Sequence, residues 1–387
     1  MASILIGMSG GVDSAVAASI LKRGAHDVVG VTLLFDSSER SRIGAEIAAG
    51  IAGKLGIEHR GIDATERYEE YAAAHVVCQV REGREPSLDA AFTSKLLIPL
   101  LFEIADESKI RKVATGHYAG TVMESAGIGA YPWRLMRAHD KFNDQSFMLY
   151  DLSQDELNRL EFPLVDMQEM KVRVEAMREG LMIPQVPQGE HLYLYGEGSD
   201  SLSSWLGAHG VNMEPGDAIE LSSAAVLGTH EGLCRYSVGD KLVFDNPRAG
   251  EPVVSAALLQ AAASAGEDGE VQAGALEAQA VEPDTIERFV VAKDSKLNCL
   301  FVGSAAQAAS ESCVLENVTW TSIHPLEEKR SCRVRFARGD NPRPCQLVPI
   351  EDGKLMMSFT MPVAGLASGK TAVFYSDDMV LGGGTIA

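Results

Sequence analysis

The sequence predicts an α/β protein: a parallel sheet covered by helices, then a helical linking stretch, then a C-terminal β-barrel region. Three observations carry this. Apolar runs alternate with amphipathic stretches up to about residue 165. A Ser9-Gly10-Gly11 loop joins the first run to the first helical stretch. From Asp217 onward only short alternating segments separated by turns remain. Strands that alternate with helices need crossover connections and favour a parallel sheet, whereas serial short strands close into sandwiches or barrels.

Residues 3–7 form an apolar run that predicts a buried strand. Val12 to Lys22 places Val12, Ala15, Val16, Ile20 and Leu21 on one side of a helix. Val28 to Leu34 predicts a second strand and Ala45 to Leu55 a second helix. A helix around Lys95 to Ala105 precedes a strand at Val113-Ala114-Thr115, and Phe162-Pro163-Leu164 closes the unit, placed at residues 1–165. Asp166 to Met182 predicts a helix stopped by Pro184 and Pro187, so residues 166–205 are a linking region. The β region at 206–387 includes segments 218–221, 242–244, 289–291, 332–336, 355–359 and 372–375, enough for one or two small barrels. Residues 249–287 contain no Lys or Arg after Arg248 until Arg288 and are rich in Ala and Glu. They predict a partly disordered insertion or, alternatively, a solvated acidic helix.

The chain has 387 residues, more than one ordinary core holds. It has no apolar run of about 18 residues, and Met1 to Gly7 lacks the basic start of a secretory signal, so a cytoplasmic protein is expected. Its 6 cysteines are scattered without a Cys-x-x-Cys pair, which argues against a zinc site and a disulfide framework. The net charge of −20 disfavours polyanion binding over the whole surface. Lys329, Arg330, Arg333, Arg335, Arg338 and Arg343 offer a local basic stretch opposed only by Asp340; it is either a nucleic-acid contact or a solvated strand face.

The loop Gly7-Met8-Ser9-Gly10-Gly11-Val12-Asp13-Ser14 has the chemistry of a phosphate cradle. Its glycines bring backbone N–H groups close to an anion, and the helix beginning at Val12 points its positive end there. Ser9 and Ser14 supply hydroxyl donors, and Asp13 can hold the Mg²⁺ that accompanies ATP. No Gly-Lys-Ser/Thr ending follows, so a P-loop lysine is absent. A plain glycine turn is the alternative.

This loop resembles the signature of the PP-loop ATP pyrophosphatases, of the adenine nucleotide alpha hydrolase-like fold. Further motifs along the chain resemble the tRNA-specific 2-thiouridylase family: Gly30-Val31-Thr32-Leu33, Gly83-Arg84-Glu85-Pro86, Ala114-Thr115-Gly116-His117-Tyr118-Ala119, Asp140, Asp144-Gln145-Ser146, Gly228-Thr229-His230-Glu231-Gly232, Asn298 and Gly382-Gly383-Gly384. The resemblance implies a PP-loop domain, a central helical region and a barrel. It also implies ATP and Mg²⁺ as cofactors, tRNA as a partner, and adenylation of a carbonyl oxygen before sulfur attack.

Carried over residue by residue, it places ATP on Gly7 to Ser14, Leu33 and Gly116, and gives Asp13 and Asp89 catalytic roles. The target base would lie by Ser87-Leu88-Asp89. His117 would contact nucleic acid or ATP, unless it is a packed structural histidine. Contacts to tRNA fall on Asn143-Asp144-Gln145, where the family has Lys-Asp-Gln; on Arg335-Phe336, where it has Arg-Tyr; and on Lys370, where it has Pro-Gly-Gln.

Two cysteines run the family's sulfur relay. Here Phe92 and His191 stand at their positions. Only a thiolate accepts and passes on sulfur, so the sulfur is expected from outside, as free sulfide or from a sulfur-donor protein. Two other readings stand beside this one: an ATP- or tRNA-binding paralogue in a regulatory role, and a PP-loop enzyme with a small-molecule substrate.

Overall fold

The computed structural model of the chain describes residues 3–125, 129–181, 202–246 and 285–387. His191 and nearly all of 249–287 lie outside them; Thr285 to Glu287 begin a strand. Among the described residues no helix is long and apolar enough to cross a membrane.

The chain opens with strand β1 (Ser3–Gly7), helix α1 (Val12–Arg23), β2 (Asp27–Leu34), helix α2 (Glu39–Leu55) and β3 (Glu58–Asp63). After helical segments come β4 (Lys112–Ala114), a hairpin of β5 (Ala119–Met123) and β6 (Trp133–Arg137), and β7 (Leu160–Glu161). The strands β3-β2-β1-β4-β7 form one parallel sheet. Leu5 on one face and Ile4 and Ile6 on the other are buried in separate apolar clusters, as period-2 alternation in a doubly covered sheet requires. The chain adds β2 and β3 on one side of β1 and then β4 on the other. Ligands bind in α/β sheets at such a reversal, beyond the carboxyl ends of the strands.

α1 has no side-chain cap at Gly11, so its first N–H groups are not covered by a capping hydroxyl from that residue. α2 is started by Ser38, whose hydroxyl accepts the Ser41 N–H, and is ended by left-handed Gly56. Helix Leu88–Phe92 runs through a π-helical turn, Thr93–Leu97, into helix Ile98–Glu107.

The compact units do not divide at 165 and 205. One unit is residues 1–212 with 311–387, and the other is 213–310. The physical reason lies in the packing of two segments. Helix Glu169–Arg178 buries Val172 and Ala176 in the cluster that holds Ala15 and Ala18 of α1, and Arg23 pairs with Glu175. The β5–β6 hairpin joins strand Met379–Ile386 of the C-terminal sheet rather than the parallel one.

The inserted unit contains β8 (Gly216–Glu220), β9 (Val226–His230), β10 (Lys241–Asp245), β11 (Thr285–Asp294) and β12 (Cys299–Gly303), in the order β10-β11-β12-β8-β9. Its Gly-Thr-His-Glu-Gly motif has a structural role. His230 is 2% exposed; its Nδ1 accepts the Gly232 N–H at 3.0 Å, and its Nε2 lies 3.1 Å from the Asn298 carbonyl oxygen. With Nδ1 accepting, Nε2 is the donor, so one imidazole ring joins two loops.

The remaining strands are β13 (Ala309–Trp320), β14 (Arg330–Arg335), β15 (Arg343–Pro349), β16 (Leu355–Ala364), β17 (Thr371–Ser376) and β18 (Met379–Ile386). They run β13-β16-β15-β14-β17-β18, and β13 also pairs with β18, which closes a six-stranded barrel. Closure leaves those strands no open edge, and Leu315, Val334, Leu347, Met357 and Phe374 fill the interior.

Candidate active site

β1 and β4 end side by side, and each hands the chain to a loop. Gly7 to Gly11 follow β1, and Thr115 to His117 follow β4. The second loop packs against the first turn of α1, where the sheet order reverses. Gly10 has φ +79°, and a Cβ on it would lie 2.4 Å from the Gly44 carbonyl oxygen of α2. A Cβ on Gly116 would lie 2.7 Å from the Ser14 amide nitrogen. Both positions are therefore restricted to glycine by backbone, not by a side chain that can move aside.

The loop is held from below. The Met8 N–H donates to the Val31 carbonyl at 2.7 Å, and the Thr32 hydroxyl donates to the Met8 carbonyl at 2.7 Å. Met8 is 2% exposed, so its side chain anchors the loop and its contribution to a ligand is through backbone. Ser14 Oγ donates to the Gly11 carbonyl at 3.1 Å and lies 3.3 Å from Ser9 Oγ. These hydroxyls shape the turn that leads into α1. Val12 begins α1 and is half-buried against the apolar cluster, while Leu33 lies on β2 opposite Ile62 of β3.

Asp13 stands on the first turn of α1. Burial pushes its carboxyl above the ordinary range, and a hydrogen bond from Tyr118 works against that shift. The Tyr118 hydroxyl donates to Asp13 Oδ1 at 2.7 Å, and its own acidity is strongly suppressed by burial and by Asp13. A buried carboxylate that resists ionisation gains from a neighbouring cation, so Asp13 fits the Mg²⁺ that travels with a polyphosphate. The glycine cradle and uncapped helix start fit the polyphosphate itself.

Tyr118 was not singled out from the sequence, although it stands in the Thr-Gly-His-Tyr run. It is 3% exposed. Gln145 grips it from both sides: its Oε1 accepts the Tyr118 N–H at 2.9 Å, and its N–H donates to the Tyr118 carbonyl at 2.8 Å. Gln145 is thus a positioning residue for Asp13 through Tyr118. His117 is half-buried, with Nδ1 2.8 Å from the Thr115 hydroxyl. Burial, and then the charge of Arg338, push it down to about 4, so it is a neutral imidazole at physiological pH.

Two of the expected substrate contacts, Asp144 and Arg335, are buried. Asp144 is 0% and Arg335 2% exposed, and Arg335 Nη1 donates to Asp144 Oδ2 at 2.6 Å. The same carboxylate accepts from Arg137 Nε at 3.1 Å, from the Ala138 N–H at 3.1 Å and from the Ser146 hydroxyl at 3.1 Å. The pair is an internal tie between the barrel and the loop that carries Gln145, and the guanidinium lies over the Tyr375 ring. Phe336, half-buried, packs into the barrel cluster 6.2 Å from the Phe359 ring. The basic stretch is accordingly discontinuous: Arg335 points into protein, while Arg333, Arg338 and Arg343 are exposed.

The remaining candidates lie along a second seam. The Ser87 hydroxyl accepts the Thr371 N–H at 2.9 Å instead of capping its own helix. Lys370 Nζ lies 3.6 Å from Glu85 Oε2 and donates to the Gly365 carbonyl at 3.1 Å. Both residues therefore join the Arg84-Glu85-Pro86-Ser87 stretch to the barrel. Leu88 is buried, Asp89 is half-buried on the first helical turn, and Asn143 donates through Nδ2 to Asp140 Oδ2 at 3.0 Å.

Phe92 is 2% exposed. Its ring meets Phe35 edge-on at 5.0 Å and Tyr71 at 6.2 Å, and Tyr68 stands 6.2 Å from Phe35. Phe92 is thus part of a packed aromatic cluster.

Comparison with known proteins agrees with this architecture. Residues 2–194 match the family model described as tRNA methyl transferase HUP domain, and residues 310–386 match the aminomethyltransferase beta-barrel domain. A tRNA-specific 2-thiouridylase MnmA of Trichormus variabilis is 29% identical over 100% of this chain and 99% of its own. The protein of that name from a Synechococcus species is 30% identical over 99% of this chain and 94% of its own. That from a Synechocystis species is 30% identical over 99% and 96%.

Proposed function

This chain belongs to the tRNA-specific 2-thiouridylase family, and from that premise we propose that it adenylates a uridine carbonyl oxygen of tRNA and lets an external sulfur nucleophile displace the AMP. The observation that carries the reading is the cradle: Gly10 at φ +79°, the uncapped start of α1 and Gly116 against Ser14, at the reversal of a parallel sheet.

Backbone N–H groups of the Gly10–Asp13 turn and the hydroxyls of Ser9 and Ser14 would hold the phosphates, and Asp13 would hold Mg²⁺. When bound, ATP supplies an activated α-phosphate whose transfer turns a poor leaving oxygen into a good one. Tyr118 orients Asp13, and Gln145 orients Tyr118. Asp89 would assist proton transfer at the base. His117, neutral, can accept or donate a hydrogen bond without adding charge. Exposed Arg333, Arg338 and Arg343 would meet the RNA backbone, a local basic surface on an acidic protein.

Sulfur is assigned to an outside donor, sulfide or a partner's persulfide, because Phe92 is sealed among aromatic rings. The test measures pyrophosphate release and 2-thiouridine formation with ATP, unmodified tRNA and sulfide. Pyrophosphate stoichiometric with thiolated product supports the reading; tRNA that stimulates no release overturns it. The same Phe92 packing favours a second reading, an ATP- and tRNA-binding protein without turnover. In that case tRNA shifts under ATP but no AMP appears. Release that depends on a small molecule instead would favour the small-substrate reading.

A further inference from the structure

Three cysteines that the phosphate site does not use come together in the barrel. Cys332 and Cys345 are direct cross-strand partners in the register of β14 and β15, and their Sγ atoms lie 3.5 Å apart. Cys313 of β13 belongs to the same cluster and is close enough to affect Cys345. Cys332 is half-exposed, Cys345 is buried, and both are free thiols.

Register partners on antiparallel strands have Cα atoms about 4.5–5.5 Å apart. That range falls inside the roughly 4.4–6.8 Å that disulfides span. Shortening the sulfur separation from 3.5 Å to the bonded distance of about 2.05 Å is a matter of side-chain rotation, with no strand moved out of register. The 13-residue separation closes a loop around the β14–β15 turn. That turn follows Arg335, which is tied to Asp144, and carries Arg338, whose charge reaches His117.

We propose that Cys332 and Cys345 are an oxidation site that closes to an intramolecular disulfide and staples the β14–β15 hairpin. The oxidant is a small-molecule disulfide. The Cys332 thiolate, the accessible sulfur of the two, attacks it, forming a mixed disulfide and expelling one thiolate. Cys345 then gives up its proton and attacks Sγ of Cys332, expelling the second thiolate. Two protein thiols lose two electrons and two protons, and the oxidant becomes two thiols. The neighbouring Cys332 thiol, and then burial, hold Cys345 in the protonated form until that second step.

The experiment treats the full chain with oxidised glutathione, blocks the remaining thiols with N-ethylmaleimide and maps peptides without reduction. The expected result is a peptide pair linked through Cys332 and Cys345. A rise of about 2–8 °C in the thermal midpoint should accompany it and disappear on reduction. Cys332→Ser should abolish both, and Cys78→Ser should leave both intact. Since a change at buried Cys345 risks misfolding, Cys332→Ser is the deciding variant. Full alkylation of Cys332 and Cys345 after oxidation overturns the proposal. So does a Cys313–Cys345 link, glutathione left on Cys332, or a disulfide between two chains.

Discussion

The phosphate loop and the Phe92 cluster lie in the same unit, and they are built by opposite means. The loop is made of backbone: Gly10, Gly11 and Gly116 have no side chains, and Met8 turns inward. The cluster is made of side chains: Phe35, Tyr68, Tyr71 and Phe92 meet ring against ring. A backbone site keeps its donors available for a ligand. A ring-filled site gives cohesion and leaves nothing to react. Backbone and side-chain construction therefore separate within one unit.

That contrast can be broken most forcefully at Phe92. Phe92→Ala should lower stability by about 3–5 kcal/mol, read from denaturant midpoints, while ATP affinity stays unchanged. An ATP site that fails together with it would mean the two regions are one. Arg335→Met comes next. It leaves the Asp144 carboxylate with fewer partners in the core and should cost about 3 kcal/mol. If tRNA affinity fell with no loss of stability, the pair would be a contact surface and not an internal tie.

Gly10→Ala should reverse the pattern. Pyrophosphate release should fall about 100-fold, which is about 2.7 kcal/mol, with a stability loss of about 1–2 kcal/mol from the strained turn. Unchanged release would remove the cradle from the mechanism. Tyr118→Phe takes away the hydrogen bond that holds the Asp13 carboxyl down, so that carboxyl should rise further. The acid limb of the pH–rate profile should move to higher pH, with about 1 kcal/mol lost in stability. No movement of that limb would mean that Asp13 does not govern it.

The smallest effect is at His117. Its folded value, about 4, lies below the ordinary 6.5. As pH falls from 6.5 toward 4, the unfolded chain takes up a proton that the folded imidazole refuses, so folding loses stability; above 6.5 there is no contribution. His117→Gln should lack this term, which shows as a shallower loss of melting temperature across that window.

Much of the site could be read along the chain. A strand, a Ser-Gly-Gly turn and a helix are neighbours in sequence, and each is specified by local rules of period, backbone freedom and helix ends. Tyr118 escaped because a tyrosine inside a motif carries no sign of which way its hydroxyl points. The pairing of hairpin β5–β6 with the C-terminal sheet was missed because its partner strand, β18, lies near the other end of the chain.

By itself the sequence determined the parallel-sheet unit and the glycine turn that joins its first strand to its first helix, since residue identity and short-range spacing decide those. Only the tertiary structure decided that Asp144 and Arg335, 191 residues apart, are partners in the core. A charge on a strand looks the same in sequence whether water or another chain segment faces it. Burial, which sets what a charge must pair with, is a property of the assembled layers.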